Sequence, residues 1–101
     1  MPVMNRRAAR RDIAEAPIIK ALVAVGCSVV QLSDRGIPDL LVAYPVRSDL
    51  ETINRYDTVL LEVKTGNAKL TDNELAFMMS WKGQFIICRT PDEALTLLGL
   101  K

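Results

Sequence analysis

The sequence predicts an α/β domain, a small mixed β-sheet flanked by helices in the element order α-β-β-β-α-β-α. Three observations predict it. Two capping boxes, Thr71-Asp-Asn-Glu74 and Thr90-Pro-Asp-Glu93, mark helix starts. Two runs, Asp39–Tyr44 and Thr58–Lys64, are nearly continuous in apolar residues over strand length, as strands covered on both faces are. Gly26 and Gly99 follow helical stretches, where a residue free to turn left-handed ends a helix. With 101 residues, half of them hydrophobic, the chain is expected to form a single domain, 1–101, with residues 1–11 as a basic N-terminal arm.

From about Arg10 to Val25 the pattern is helical, with Ile18, Ala21, Leu22 and Val25 as an apolar stripe. Pro17 removes one backbone donor, so the first turn is kinked or the helix starts late. Cys27–Leu32 alternates loosely and suits a strand. Residues 33–38 carry the turn residues Gly36 and Pro38. Asp39–Tyr44 is the second strand, and the polar stretch Pro45–Asp57 reads as a long connection. Thr58–Lys64 is a third strand in a central, buried position. The first capping box opens a helix to about Trp81 or Lys82, and Gln84–Cys88 is a short fourth strand. The second box, with Pro91 at the first helical position, opens a last helix to Leu98.

Composition removes several chemistries. The chain has no histidine, which excludes Ser-His-Asp and Cys-His nucleophilic catalysis, histidine-ligated zinc and histidine general bases. Thirteen Lys+Arg balance twelve Asp+Glu to a formal +1, so the bulk charge names no partner. Cys27 and Cys88 form neither a C-x-x-C pair nor a four-ligand zinc set, and are expected to be small buried hydrophobes in a reducing compartment. No apolar stretch approaches the ~20 residues of a membrane span. The basic start, Met1–Arg11, is not followed by a signal-type apolar region, so a cytoplasmic protein with no membrane partner is expected.

What remains for chemistry is carboxylate, lysine and arginine. Alternation along the third strand sets Val59, Leu61 and Val63 on one face and Leu60, Glu62 and Lys64 on the other. A carboxylate and an ammonium thus share a face of a strand that otherwise reads as buried, and each needs a partner there. Asp39 opens the second strand after Gly36-Ile37-Pro38, which stiffens its position. If the two strands pair, Asp39 sits beside Glu62. Two converging carboxylates suit Mg²⁺, which takes oxygen ligands and completes its octahedron with water and phosphate. Lys64 would orient or deprotonate a water, or neutralise the phosphate.

Ile37-Pro38-Asp39 followed by Glu62-Val63-Lys64 on the next strand resembles the PD-(D/E)xK nuclease motif. Glu15 in a first helix ending at a glycine, with the short Gly36-Ile-Pro-Asp-Leu40 turn, is more particularly similar to the virus-type replication-repair nuclease (VRR-NUC) domain. That family includes stand-alone phage forms similar to Holliday-junction resolvases. The likeness runs from about Arg11 to Leu98. It implies a restriction-endonuclease-like core and a Mg²⁺-dependent endonuclease that hydrolyses phosphodiester bonds in branched DNA, as in repair or recombination, with Mn²⁺ substituting. By position it implies Asp39 and Glu62 as metal ligands, the Val63 carbonyl as a further oxygen, Lys64 as the catalytic lysine, and Glu15 as a supporting carboxylate, directly or through water. The family often has a glutamine in the helix after the ExK strand, where this chain offers Glu74. A phage-encoded protein of this kind would work in the host-cell cytoplasm. One site cuts one strand, so resolving a four-way junction calls for a symmetric homodimer.

Each of these residues also has an ordinary reading. Glu62 and Lys64 can be an i, i+2 ion pair on a half-exposed strand. Asp12-x-x-Glu15 has the form of a capping box, although the spacing from Glu15 to Ile18, Ile19 and Leu22 also turns it toward the sheet. Glu74 is the natural N3 partner of Thr71. Arg6, Arg7, Arg10 and Arg11 read as a phosphate-binding arm, with Lys69 adding to it, or as a solvated tail. Phe77 and Trp81, four apart, suit a core or dimer contact. The alternative function is a catalytically weak or inactive nucleic-acid-binding module with the same fold, and a third is a purely structural dimerising protein.

Overall fold

Leu40, Val42 and Tyr44 are buried while Leu41 between them is exposed, the alternation of a strand with one face in a core. In the computed structural model, which describes residues 13–101, that core is built by a four-stranded sheet and two helices. The elements are α1 (Glu15–Ala24), β1 (Ser28–Gln31), β2 (Leu40–Arg47), β3 (Ile53–Val63), α2 (Asp72–Ser80), β4 (Phe85–Cys88) and α3 (Pro91–Leu97). Their order is the one the sequence predicts. The strands lie in the order β1-β2-β3-β4. β1 with β2 and β2 with β3 are antiparallel, and β3 with β4 is parallel, with α2 in the crossover.

Ile18 and Leu22 of α1 and Ala94 of α3 cover one sheet face, against Leu40, Val42, Tyr44, Val59, Leu61 and Val63. Both cysteines are buried free thiols in this layer, and burial, with the nearby Glu93 charge, pushes Cys88 up to about 12. The opposite face carries Leu41, Leu60 and Glu62. There α2 contributes no buried residue. Its Phe77 stacks on Trp81 with centroids 5.5 Å apart and lies 6.4 Å from Phe85.

The structure moves several boundaries. Pro45–Asp57 is not a long connection. β2 runs on through Pro45 to Arg47 and β3 begins at Ile53, leaving a tight turn in which Asp49 Oδ1 accepts from the Glu51 and Thr52 N–H groups at 2.9 Å each. The outer half of the hairpin is polar because Arg47 and residues 53–56 are exposed, so ladder pairing rather than burial makes it a strand. Pro45 is tolerated because it lies past the last β1–β2 pair, Ser28–Ala43, where β2 has one neighbour. Asp39 sits in the bend just before β2, and Lys64 just after β3. α1 begins at Glu15, so Pro17 falls in the first turn, where its missing N–H has no intrahelical acceptor to lose. Among the described residues, no helix is long and apolar enough to cross a membrane.

Leu61 is fully buried and pairs with Leu40 at the centre of the sheet. Leu61→Ala is expected to cost about 2–5 kcal/mol in urea denaturation, whereas Leu50→Ala, at the 95 % exposed hairpin turn, should stay within about 0.5 kcal/mol.

Candidate active site

The turn before β2 is held on three sides. Gly36 has φ +77°, a left-handed conformation that disfavours side chains, and a Cβ there would lie 3.4 Å from the Asn73 Cβ of α2. Pro38 is fully buried, and the Leu32 N–H donates to the Asp39 carbonyl at 2.8 Å. Asp39 therefore has little freedom. Its Oδ2 accepts the Val63 N–H at 2.8 Å, which ties the carboxylate to β3 beside Glu62. The β2–β3 register ends at Leu40↔Leu61, and the Asp39 bond to Val63 with its charge on Glu62 puts the two carboxylates side by side, as the sequence expects.

Glu62 is 3 % exposed, on the sheet face away from α1 and α3. Its Oε2 lies 3.3 Å from Lys64 Nζ, and Lys64 Nζ lies 2.7 Å from Glu74 Oε1. Glu74 Oε1 also accepts the Thr71 N–H at 2.8 Å, while the Glu74 N–H donates to Thr71 Oγ1 at 3.2 Å. The capping box is thus complete, and the same carboxylate reaches the lysine. The two readings of Glu74, helix cap and site residue, describe one side chain.

Electrostatics follow from this crowding. Burial raises the Glu62 carboxyl from 4.5 to about 8, helped by the charges of Asp39 and Glu74 and by a hydrogen bond to Glu74, and opposed by Lys64. Burial pulls Lys64 down, but its bonds and charge contacts with Glu74 and Glu62 outweigh that and hold it above its ordinary value. Burial pulls Glu74 up, yet its hydrogen bonds from Lys64 and Thr71 hold it below the usual carboxylate range. Glu62 and Glu74 share one ammonium, and the Asp39 charge acts on Glu62 beside them. The group is short of positive charge.

Glu15 is placed differently from the capping-box reading. The α1 N-cap is Ala14, with no side-chain cap bond, so Glu15 is the first helical residue and not the third. It is 2 % exposed, and its Oε1 accepts from Gln31 Nε2 at 2.7 Å. Gln31 pairs with Leu40, which puts this contact on the helix-covered side of the sheet. Gln31 was not singled out from sequence. Gln31 is exposed at the end of β1, and no local pattern marks its contact with Glu15. Lys69 is exposed in the loop after Lys64. Arg6, Arg7, Arg10, Arg11 and Asp12 lie outside the described residues.

Among the described residues, no three acidic or thiol side chains gather closely enough to hold a metal ion between them. What the site does hold fits a hard divalent cation that keeps several waters. It has the neighbouring carboxylates Asp39 and Glu62 and a buried Glu62 Oε1 with no hydrogen-bond partner among the described residues. An open groove of about 380 Å³, lined by Leu41, Asp57, Thr58, Leu60, Trp81 and Gln84, lies farther along β3 and includes none of Asp39, Glu62, Lys64 and Glu74. Comparison with protein-family models, curated proteins and solved structures gives no match.

Folded Glu62 keeps its proton up to about pH 8, while the unfolded carboxyl loses it near 4.5, so the folded chain binds more protons in that window and loses stability as pH rises across it. In EDTA the thermal midpoint should therefore fall from about pH 4.5 to about pH 8, and Glu62→Gln should remove this contribution to the slope. A Glu62→Gln profile parallel to that of wild type would contradict the assignment.

Proposed function

We propose that the chain is a Mg²⁺-dependent phosphodiesterase, a structure-specific endonuclease acting on branched DNA such as four-way junctions, with Mn²⁺ able to substitute. One observation carries the reading: a buried carboxylate beside a second carboxylate and a lysine, on the open face of the sheet, with too little positive charge to balance it. Asp39 and Glu62, with the Val63 carbonyl, would hold the cation. When bound, Mg²⁺ supplies a Lewis acid for the phosphate and lowers the pKa of a coordinated water. The remaining work belongs to the chain. The Val63 N–H fixes the Asp39 carboxylate. Lys64 Nζ, held by Glu74, orients the attacking water or neutralises the phosphate charge that builds in the transition state. Glu15, bonded to Gln31 on the helix-covered side of the sheet and not on the side of Glu62, holds the start of α1 against β1 rather than supporting the cation. Glu74 holds Lys64 in place of the family glutamine.

In this reading Arg6, Arg7, Arg10, Arg11 and Lys69 supply sequence-independent phosphate contacts, which makes binding salt-dependent. Cutting both strands of a junction requires a homodimer, and such an enzyme acts in the cytoplasm, the host's if phage-encoded. A second reading, a nucleic-acid-binding module that does not cleave, is favoured by the direct Lys64–Glu74 ion pair and by the lack of a three-ligand cluster among the described residues.

Incubation with labelled four-way junction, splayed duplex and linear duplex separates the two. The enzyme reading expects cutting of the junction with Mg²⁺ or Mn²⁺, none in EDTA, and a loss of about 100-fold or more in Lys64→Ala with DNA binding retained. Salt-sensitive binding without cutting supports the module. Metal-independent cutting, or full activity in Lys64→Ala, contradicts the mechanism.

A further inference from the structure

The backbone of Lys64 is set by the sheet, but its ammonium depends on an element that the core does not fix. Its side chain is held by Glu74, at the start of α2, and α2 has no buried residue to anchor it. Between Lys64 and α2 runs the loop Thr65–Leu70. This loop turns through the Ala68 N–H to Thr65 carbonyl bond at 3.1 Å, with Gly66 at φ +58°. Something must set where the loop lies, because its end determines where Thr71 and Glu74 stand.

Arg89 meets that requirement. β3 and β4 are parallel and in register at Val63↔Cys88, and the Lys64 N–H donates to the Cys88 carbonyl at 3.0 Å. Lys64 and Arg89 therefore leave the sheet side by side, at the carboxyl ends of the two parallel strands, where open α/β sheets place their ligand crevices. Arg89 Nη1 donates to the Gly66 and Ala68 carbonyls at 2.9 Å each, so one guanidinium spans both sides of the turn. Arg89 is itself fixed: its N–H donates to Glu93 Oε1 at 2.7 Å, and the Glu93 N–H donates to Thr90 Oγ1 at 3.1 Å in the cap of α3. A chain of contacts thus runs from α3 through Arg89 and the loop to Thr71, Glu74 and the Lys64 ammonium.

We infer that Arg89 is a positioning residue for Lys64, acting through the loop that joins β3 to α2; the inference rests on reading Asp39, Glu62 and Lys64 as an active site. The guanidinium fixes the loop carbonyls, the loop fixes the α2 N-terminus, and Glu74 then holds the ammonium beside Glu62. A lysine at position 89 would carry the charge and can donate from one nitrogen to both carbonyls, but on a flexible stem in place of a planar, pre-organised group, and so restores the clamp in part.

The test compares full-length wild type, Arg89→Ala and Arg89→Lys. Amide hydrogen exchange should quicken by about tenfold or more over residues 66–70 in Arg89→Ala while β2 and β3 amides stay unchanged. The Lys64 side-chain ammonium signal should exchange faster with water in the same variant. In metal-dependent cleavage, kcat should fall by about 10- to 100-fold with KM within about twofold, and Arg89→Lys, or guanidinium ion added to Arg89→Ala, should recover part of the loss. Should Arg89→Ala fail to fold, Arg89→Lys carries the same comparison, with intermediate loop exchange and kcat expected. Unchanged loop exchange and ammonium signal overturn the inference, as does a rise in KM with kcat unchanged, which assigns the guanidinium to substrate contact instead. A wild type that cuts no DNA with either metal removes the active-site reading alone, and the exchange and ammonium signals then decide whether Arg89 holds Lys64.

Discussion

The burial of one carboxylate, Glu62, constrains everything around it. β3 is central, paired with β2 on one side and β4 on the other, and Glu62 lies at 3 % exposure on the face that α2 covers only lightly. A buried carboxylate alone would cost several kcal/mol, by the general scale for uncompensated charges of about that size. The chain offsets this with Lys64 on the same face and with a proton held to about pH 8. Asp39 and Glu74 make the position worse rather than better, since both raise the Glu62 carboxyl further. Carboxylates brought together against their own repulsion, with a buried oxygen that has no hydrogen-bond partner among the described residues, are the physical reason to propose a divalent cation as their partner.

The division of the fold follows from the same strand. One face of β3 belongs to the apolar layer under α1 and α3, which supplies the burial that a domain of this size needs. The other face is covered only lightly by α2, which is fixed by polar contacts at its start and by Phe77 beside Phe85. Stability and the proposed chemistry thus sit on opposite sides of one sheet. Groups on the α2 side can be polar, crowded and adjustable without loosening the core.

How much of this was legible depends on range. Thr71–Glu74 and Thr90–Glu93 fix helix starts through contacts three residues apart; the first forms a complete capping box, while in the second only Thr90 caps, Glu93 bonding the Arg89 N–H instead, with Pro91 at the start of α3. The strand alternation of residues 59–64 depends on a period of two and correctly separates Leu61 and Val63 from Glu62 and Lys64. The hairpin 45–57 was hidden because Arg47 and residues 53–56 are exposed, so ladder pairing there leaves no alternation of buried and exposed side chains. Asp39 beside Glu62 followed from assuming that sequential strands pair. The Glu74–Lys64 ion pair and the Gln31–Glu15 bond did not, because both join elements whose relative placement is tertiary. The Arg89 contacts with Gly66 and Ala68 span more than twenty residues and leave no local mark at all.

Titration of the metal-free chain with Mn²⁺, read by electron paramagnetic resonance of the free ion, tests the central claim most directly. The account predicts saturable Mn²⁺ uptake by wild type that Mg²⁺ displaces and that Asp39→Asn and Glu62→Gln each abolish, with the fold intact by circular dichroism. No uptake by wild type, or uptake unchanged in both variants, would contradict it.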